Sequence, residues 1–279
     1  MSAVATITIA HGRHRHLANQ GTSLDLGTRR PDHRIVVAMD DPRIELEDAD
    51  VVHLHTGSAE LPLAAARNLG ARRALDLGAE VLVFLDVDCL AGSRLVEDYA
   101  LAVADEPHIV WSGPVTHLPP PPAHGYDLTS LEQADDPHPG RPAPRPGERV
   151  LNPRPELFWS LSFAVAHDTW SRIGGFCEEY TGYGGEDTDF GRLVEARGAR
   201  HGWVGGARAY HQHHEVESPP VRHLDAILRN GAIFRSRWGE WPMTSWLHEF
   251  AEMGLVECQD GHWQRTASRD AASRAQRRP

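Results

Sequence analysis

Two aspartates stand at alternate positions directly after an apolar run. Asp86 and Asp88 follow Val81 to Leu85, a stretch of five apolar residues. If that run is a strand, both carboxylates point to one side at the carboxyl edge of a sheet, where open α/β sheets bind ligands. Carboxylate oxygens suit Mg²⁺ or Mn²⁺, and a bound divalent cation would neutralise a diphosphate. The pair predicts a metal-assisted phosphate site; two solvated loop aspartates are the alternative.

A second group of carboxylates follows a glycine-rich stretch. Residues 182–190 read Gly-Tyr-Gly-Gly-Glu-Asp-Thr-Asp-Phe, so Glu186, Asp187 and Asp189 are close together at the start of a predicted helix. Glycines let a backbone approach a ligand closely, and carboxylates are stabilised at a helix N-terminus. A partly desolvated carboxylate here could act as a general base on a hydroxyl. An acidic first helical turn after a flexible loop is the alternative.

A third cluster contains three imidazoles. Residues 211–214 read His-Gln-His-His, after a predicted strand from Ala207 to Tyr210. Imidazole is a competent Mn²⁺ ligand, and the end of a strand can hold it in one direction. Because the chain has 18 histidines, most of them must lie at the surface. Position rather than residue type therefore singles out His211.

The charged residues limit which partners are possible. With 28 basic and 39 acidic side chains the net charge is −11, which argues against general attraction to nucleic acid or to an anionic bilayer. Every basic residue is arginine, which excludes Schiff-base chemistry and a Walker-type phosphate lysine. Any phosphate must therefore meet arginine, backbone or metal.

The cysteines and the hydropathy pattern predict the compartment. The three cysteines, Cys89, Cys177 and Cys258, are odd in number and form no CxxC pair, so a disulfide framework is not expected. No stretch reaches the roughly 18 apolar residues that a membrane span needs, and residues 1–10 do not form a secretory leader. We expect a cytoplasmic protein, with peripheral association at the inner membrane face as a compatible position.

The elements that must position these residues follow from local patterns. Residues 62–77 are rich in Ala, Leu and Arg, with Pro62 placed to start a helix and Gly78 to end it. An apolar stripe over 95–103 predicts a further helix before a strand over 108–112. The other predicted strands are Val4 to Ala10, Arg34 to Met39, Val51 to His55 and Val81 to Leu85. Strands alternating with helices predict an α/β fold with a mostly parallel sheet.

The composition changes between Pro114 and Pro155, where residues 119–122 are four consecutive prolines. Neither a helix nor an inner strand holds so many prolines, so we predict a long surface loop. We expect it to be disordered, with a lid or an acceptor-binding arm as the alternative.

The second half of the chain is predicted to be α+β. It comprises a strand over 157–166, a short helix that Asp168 caps, helices over 187–197, 221–238 and 243–253, and a disordered tail from Thr266.

Taken in order, these blocks resemble the metal-dependent GT-A glycosyltransferases, in particular family 2 enzymes with the C-terminal segment typical of β-1,4-galactosyltransferases. The resemblance covers about residues 4–215, without the proline-rich loop. Arg13 and Arg15 look like the family's Arg-x-Arg at the nucleotide diphosphate. Arg67-Asn68, with Gly70, looks like its helix beside the donor.

The resemblance also implies roles for the carboxylates and the first histidine. Asp88 would ligate Mn²⁺ (or Mg²⁺) and Asp86 would lie near the donor ribose. Ile173-Gly174-Gly175-Phe176 through Phe190 is similar to the family's Gly-Phe and Gly-Gly-Glu-Asp segment. It implies that Asp187 is the catalytic base, that Glu186 shapes the acceptor pocket, and that Gly185 belongs to the donor-binding residues. His211 falls where the family has its metal-binding histidine.

Several positions depart from the family pattern. Tyr183 replaces a tryptophan and Thr188 an acceptor-contacting aspartate, which argues against N-acetylglucosamine as the acceptor. Arg208 stands where the family has a metal-binding methionine, so waters or His213 would complete the metal shell. Asp40 resembles the aspartate that contacts the nucleobase, although the Asp-Pro that follows it is atypical.

The leading hypothesis is therefore an inverting hexosyltransferase of the GT-A fold. Its expected donor is a UDP-hexose, and its acceptor is a hydroxyl of a glycan, a lipid-linked sugar or a small molecule. We expect one domain over 1–265, with a nucleotide-sugar-binding half (1–113), the proline-rich loop (114–155) and an acceptor half (156–265), before the tail (266–279). A nucleotidyltransferase or a non-catalytic sugar-nucleotide-binding module is the alternative. The first of these would need a glycine-rich phosphate loop after the first strand, which His-Gly-Arg is not.

Overall fold

The computed structural model describes residues 2–58, 60–152, 154–215 and 217–266. The helices of this part of the chain are α1 (His14–Asp25), α2 (Leu63–Asp76), α3 (Leu95–Asp105), α4 (His167–Ile173), α5 (Glu186–Ala196), α6 (Leu224–Trp238) and α7 (Thr244–Glu252). The strands are β1 (Val4–Ala10), β2 (His33–Met39), β3 (Asp50–Leu54), β4 (Val81–Leu85), β5 (Cys89–Ala91), β6 (Ile109–Ser112), β7 (Val115–His117), β8 (Arg149–Asn152), β9 (Ser162–Ala166), β10 (Arg200–Val204), β11 (Ala209–His211), β12 (Val256–Gln259) and β13 (His262–Arg265).

The main sheet has eight strands in the order β3-β2-β1-β4-β9-β6-β10-β8. The first four strands are parallel to their neighbours, as is the β6–β10 pair. Strand β9 is antiparallel to both β4 and β6, and β8 is antiparallel to β10. Every residue of β1 and β4 is buried, because helices cover both faces of the sheet and leave no side for polar alternation. The predicted α/β fold with a mostly parallel sheet is confirmed.

A small second sheet joins two of the predicted motifs. It has the order β5-β11-β7, and β5 begins directly after Asp88. In its register His211 lies opposite Cys89 on one side and His117 on the other. The backbone therefore brings the histidine cluster of residues 211–214 to the two aspartates that follow β4.

An aromatic core supports the helix that carries the Gly-Gly-Glu-Asp carboxylates. Phe84 of β4 stacks on Phe163 of β9 with ring centroids 4.4 Å apart, and Phe176 stacks on Phe190 of α5 at 4.3 Å. All four rings are buried. Offset-stacked rings add to the stabilisation from burial, so α5 is anchored beside the strand that ends at Asp86.

The described part of the chain falls into two compact units, one within residues 1–181 with 186–214 and the other within residues 182–185 with 215–279. In the second unit, Asn230 of α6 donates hydrogen bonds to the carbonyl oxygens of Gly184 (2.8 Å) and Tyr183 (3.3 Å), which attaches the 182–185 loop to that unit. The Tyr183 ring stacks on His223, with centroids 4.7 Å apart. The divisions expected after residues 113 and 155 remain predictions.

Most of the proline-rich segment is irregular and exposed, as predicted for a surface loop, but parts of it pack on the first unit, so the expected disorder was wrong. It contains β7 and a short 3-10 helix over Leu131–Ala134, and it ends in β8, which pairs with β10. Leu118 and Leu131 are buried against Tyr210 of β11. Prolines prevent helix formation, but they do not prevent an irregular chain from packing its few apolar residues on a sheet.

Other local predictions needed correction. Helix α1 was missed, because Leu17 and Leu24 are the only large apolar side chains that it buries. Asp168 lies in the first turn of α4, whose N-cap is Ala166 with no side-chain capping bond. His211 is the last residue of β11 rather than the residue after it. The predicted tail lies outside the described residues beyond Thr266.

Within the described ranges, the helices include none that is both long enough and apolar enough to cross a membrane.

Candidate active site

Three side chains converge on one point beside β4. His211 Nε2 lies 3.5 Å from Asp88 Oδ1, and His214 Nε2 lies 3.3 Å from Asp88 Oδ2. One ligand atom from each of the three residues lies within 4.8 Å of the other two. Burial raises the pKa of Asp88, but the two imidazoles and the Arg13 guanidinium outweigh it and hold the pKa well below its ordinary value.

The donor set of this cluster fits a divalent metal ion. Asp88 Oδ1 is buried and accepts no hydrogen bond from the described residues, which is costly for a carboxylate unless a cation or water meets it. Two imidazole nitrogens and one carboxylate suit Mn²⁺. Asp88 and His211 were predicted from the sequence, and His214 was not. His213, the residue considered in its place, is exposed, and its backbone N–H donates to the Tyr126 hydroxyl at 3.0 Å.

Two buried glutamines hold the backbone around the cluster. The Gln212 N–H donates to the carbonyl of Asp88 at 2.7 Å, and its side chain donates to the carbonyl of His16 at 3.1 Å. The Gln20 amide donates to the carbonyls of Asp86 (2.8 Å) and Cys89 (3.1 Å). Gln20 was not predicted because helix α1 was not predicted. Had the helix been recognised, a polar residue on its apolar face would have indicated a buried hydrogen-bonding role for Gln20.

The loop between β1 and α1 brings one arginine to the cluster. Arg13 has a left-handed backbone with φ 52°, and its Nη1 lies 3.7 Å from Asp88 Oδ2. The buried carboxylate of Asp41 holds this loop by accepting from the Gly12 N–H at 3.0 Å and contacting His14 Nε2 at 3.0 Å. Arg15 lies two residues further on, at an exposed position in the first turn of α1. Arg13 therefore lies beside the carboxylate of the cluster, and its expected contact with a diphosphate remains a prediction.

Arg67 of α2 forms ion pairs inside the protein. Its guanidinium is 4% exposed and donates to Asp86 Oδ1 at 3.0 Å and to Glu186 Oε1 at 3.3 Å. Burial lowers the pKa of Arg67, but the two carboxylates raise it above its ordinary value. Burial in turn raises the pKa of Asp86, against the attraction of Arg67. Arg67 thus links the turn after β4 to the start of α5.

Asn68 has a structural role in this arrangement. Its Oδ1 accepts from the Phe176 N–H at 2.9 Å, and its Nδ2 donates to the Phe176 carbonyl and to Glu178, each at 2.9 Å. Both halves of the amide are therefore occupied by the turn that follows Gly174-Gly175. Its expected contact with a sugar-nucleotide donor remains a prediction. In the structure, the Asn68 side chain holds the turn at Phe176.

Asp40 also holds a turn. It has a left-handed backbone with φ 46°. Its Oδ1 accepts from the Thr56 N–H at 2.9 Å, and its Oδ2 accepts from the Thr56 hydroxyl. These bonds lower the pKa of Asp40. Both carboxylate oxygens are thus engaged by the turn after β3, and the expected nucleobase contact remains a prediction.

Two adjacent carboxylates begin α5. Glu186 is buried and Asp187 half-buried, and Gly184 and Gly185 before them have φ of +91° and +92°, values that favour glycine. Burial, and then repulsion from Asp187, raise the pKa of Glu186 to about 7, although Arg67 lowers it. Burial also raises the pKa of Asp187, against hydrogen bonds from Thr188, whose N–H lies 2.7 Å from Asp187 Oδ1. Burial thus raises the pKa of both carboxylates, a perturbation that marks the pair as candidate functional groups.

Two kinds of sequence relationship bear on this site. The family model for the N-terminal domain of galactosyltransferase matches residues 154–221, which include α5 and the histidine cluster. The chain is 30% identical to validoxylamine A glucosyltransferase of Streptomyces hygroscopicus subsp. jinggangensis (strain 5008), over an alignment of 207 residues that covers 60% of this chain and 44% of the relative. The subsp. limoneus protein of the same name is also 30% identical, with 41% of its length covered. The chain spans less than half the length of these relatives.

Solved structures show the same fold. GalNAc-T7 with UDP, GalNAc and Mn²⁺ superposes with a TM-score of 0.57 at 15% identity, covering 90% of this chain and 57% of the other. S. aureus TarS 1–349 in complex with UDP-GlcNAc gives 0.55 at 15% identity, covering 83% of this chain and 66% of the other. At such identity the likeness concerns the fold alone. The chain therefore has the fold of these GT-A glycosyltransferase structures, and it is similar in sequence to the galactosyltransferase family model over residues 154–221.

Proposed function

We propose that the protein is an inverting, metal-dependent glycosyltransferase that moves a hexose from a nucleoside-diphosphate sugar to an acceptor hydroxyl. The observation that carries the proposal is the convergence of Asp88, His211 and His214 beside Arg13. This set combines ligands for a divalent cation with a guanidinium for the same phosphates. It lies at the end of β4, next to the ion pairs that hold the carboxylates of α5.

The metal site and the arginine would act on the leaving group. A bound divalent cation would neutralise the diphosphate as the bond to the sugar breaks. Asp88, His211 and His214 would hold that cation. Arg13 lies close enough to the cluster to donate hydrogen bonds to the same phosphates, so the departing nucleoside diphosphate would meet positive charge from the chain itself.

Asp187 would act on the acceptor. The acceptor oxygen attacks the anomeric carbon as the carbon–oxygen bond to the diphosphate breaks, and the hydroxyl proton passes to the Asp187 carboxylate. Attack from the side opposite the leaving group inverts the anomeric configuration. Arg67 would keep Glu186 oriented and would favour the ionised form of Asp187, since its charge lowers the pKa of both. Of the two carboxylates, Asp187 is the more exposed and hence the more accessible to substrate.

The names of the relatives suggest the first compounds to test. Two sequence relatives are called glucosyltransferases, and TarS has been solved with UDP-GlcNAc. UDP-glucose is therefore the first donor to test, followed by UDP-GlcNAc and UDP-GalNAc. Validoxylamine A is the first acceptor, within a panel of sugars and polyols.

The deciding experiment measures UDP release from UDP-glucose by the full chain, with Mn²⁺ and after chelation, with and without acceptors. We expect release only with the metal. Asp187→Asn should lower turnover with acceptor by about 10²-fold or more, because it removes the proton acceptor, with UDP affinity nearly unchanged. The matched control is Asp168→Asn, whose side chain is 90% exposed on α4 and which should behave as the parent.

Each other outcome has a distinct meaning. If Asp187→Asn keeps its turnover and Glu186→Gln loses it, the base is Glu186. If neither substitution affects transfer, the two carboxylates only begin a helix and the proposed base is wrong. UDP binding without release from any donor would indicate a non-catalytic binding module.

A further inference from the structure

The proline-rich segment inserts one arginine between two tryptophans. Arg141 is 6% exposed. Its guanidinium carbon lies 4.7 Å from the centroid of the Trp159 ring and 4.5 Å from that of Trp203. Its backbone N–H donates to the carbonyl of His138 at 3.1 Å. The position of the cation is thus fixed by two indoles and by a turn of the segment itself.

The hydrogen-bond donors of this guanidinium have no acceptor among the described residues. Nε, Nη1 and Nη2 of Arg141 are all buried and unpaired, as is the indole Nε1 of Trp203. Burial lowers the pKa of Arg141, to about 10, so the group is still charged at neutral pH. Contact with two indole faces compensates part of the lost hydration of the cation. It leaves the in-plane N–H groups unsatisfied, and an oxyanion would match them.

A continuous row of rings connects Arg141 with the metal cluster. Trp159 packs edge-on against His138 at 5.3 Å, and His138 lies 5.5 Å from His117. His117 stacks on His211 at 4.7 Å with the planes 20° apart. The distances are between ring centroids. The proline-rich segment therefore contributes part of the wall beside the site, and Arg141 is the cation within that wall.

Arg141 also lies within electrostatic reach of the proposed base. Among the charges that raise the pKa of Arg141, against the larger effect of burial, is that of Asp187. The phosphates of a donor would already meet the metal cluster and Arg13. The unpaired charge at Arg141 thus remains for a group on the other substrate, which must place its hydroxyl at Asp187.

We propose that Arg141 binds an anionic group, a carboxylate or a phosphate, of the acceptor substrate. The inference rests on the proposed function, because it assigns a substrate class to the same site. Because the guanidinium lies against two indole rings and its nitrogens have no partner among the described residues, an oxyanion would bind to it through two parallel N–H bonds, a geometry that an ammonium group cannot reproduce.

The first test measures inorganic phosphate binding by calorimetry, with and without UDP and Mn²⁺ to fill the donor site. Arg141→Met should weaken phosphate binding by at least about tenfold, as expected for loss of a hydrogen bond between charged groups. The matched control is Arg145→Met, which removes the same charge from an exposed position of the same segment and should bind as the parent. Equal phosphate affinity in the parent and Arg141→Met would overturn the proposal.

A second measurement does not depend on the methionine variant folding. In the parent, the Nε–H NMR signal of Arg141, which Arg141→Lys removes, should move as phosphate is added. A signal that stays in place at saturating phosphate would mean that the guanidinium only joins the segment to the sheet, and the proposal would be wrong.

The last experiment distinguishes a phosphate from a carboxylate as the bound group. It also separates failure of the Arg141 proposal from failure of the proposed function. UDP release from UDP-glucose is compared for glucose, glucose 6-phosphate and glucuronate as acceptors. Preference for one of the anionic sugars, lost in Arg141→Met, supports the proposal and identifies phosphate or carboxylate. Equal use of all three overturns it while the proposed function stands. If UDP neither binds nor is released, the proposed function fails, while the phosphate titration without UDP still tests Arg141 by comparison with its variants.

Discussion

Replacing Glu186 with glutamine should stabilise the protein at alkaline pH and leave its stability nearly unchanged at acidic pH. Glu186 is 7% exposed. Burial, and then repulsion from Asp187, raise its pKa from the ordinary 4.5 to about 7, against the attraction of Arg67. Between these two pH values the folded protein keeps a proton that the unfolded chain has released.

The size of the effect follows from linkage. A carboxyl group with a raised pKa in the folded state costs nothing below its unfolded pKa, and it lowers the free energy of unfolding as the pH rises toward the folded pKa. The difference between 4.5 and about 7, at about 1.36 kcal/mol per pKa unit, corresponds to roughly 3 kcal/mol. Because Glu186 and Asp187 compete for the proton, this figure belongs to the pair. Glutamine never ionises, so the variant escapes most of the loss.

The assay is urea unfolding of the parent and Glu186→Gln at pH 5, 6, 7 and 8. The stability advantage of the variant should grow from a small part of its full size at pH 5, which is just above the unfolded pKa, to its full size at pH 8. Glu195→Gln, on the exposed side of the same helix, controls for the change in net charge. A variant that is less stable than the parent at pH 8 would refute the reasoning, because the ion pair with Arg67 would then outweigh the cost of burial.

Three further outcomes are expected. Asp88→Asn should weaken Mn²⁺ and UDP binding together in calorimetry, because one carboxylate is proposed to hold the cation that faces the diphosphate; unchanged affinities would exclude that role. His214→Ala should weaken Mn²⁺ binding by at least about tenfold, since loss of an outer-shell partner alone costs that much. The neighbouring His213→Ala should leave Mn²⁺ binding unchanged, and equal losses in the two variants would contradict the observed cluster. Replacing residues 119–146 with a short Gly/Ser connector should lower the free energy of unfolding by at least about 2 kcal/mol, the worth of burying one leucine such as Leu131, and an unchanged urea midpoint would show that the segment adds no packing.

Local sequence patterns were sufficient to predict two of the strands that position the site, but not helix α1 or strand β5. Strands β1 and β4 were predicted with the bounds that the structure shows, because a short, wholly apolar run is typical of a strand covered on both faces. The proline-rich segment was misjudged because its composition excludes regular structure, whereas its order depends on long-range contacts. Leu131 is buried by Tyr210, a residue far along the chain, and no local pattern contains that contact.

The sequence by itself determined the chemistry available: carboxylates at 86, 88, 186 and 187, imidazoles at 211, 213 and 214, and no lysine. Only the tertiary structure decided which of these groups meet. The register of β11 against β5 places His211 at Asp88, and the turn after β11 brings in His214 rather than His213. The burial of Arg67 and Arg141 is likewise a property of the assembled fold. Residue types fix what a side chain can donate or accept, but distance and desolvation, which decide what it does, depend on parts of the chain that are remote in sequence.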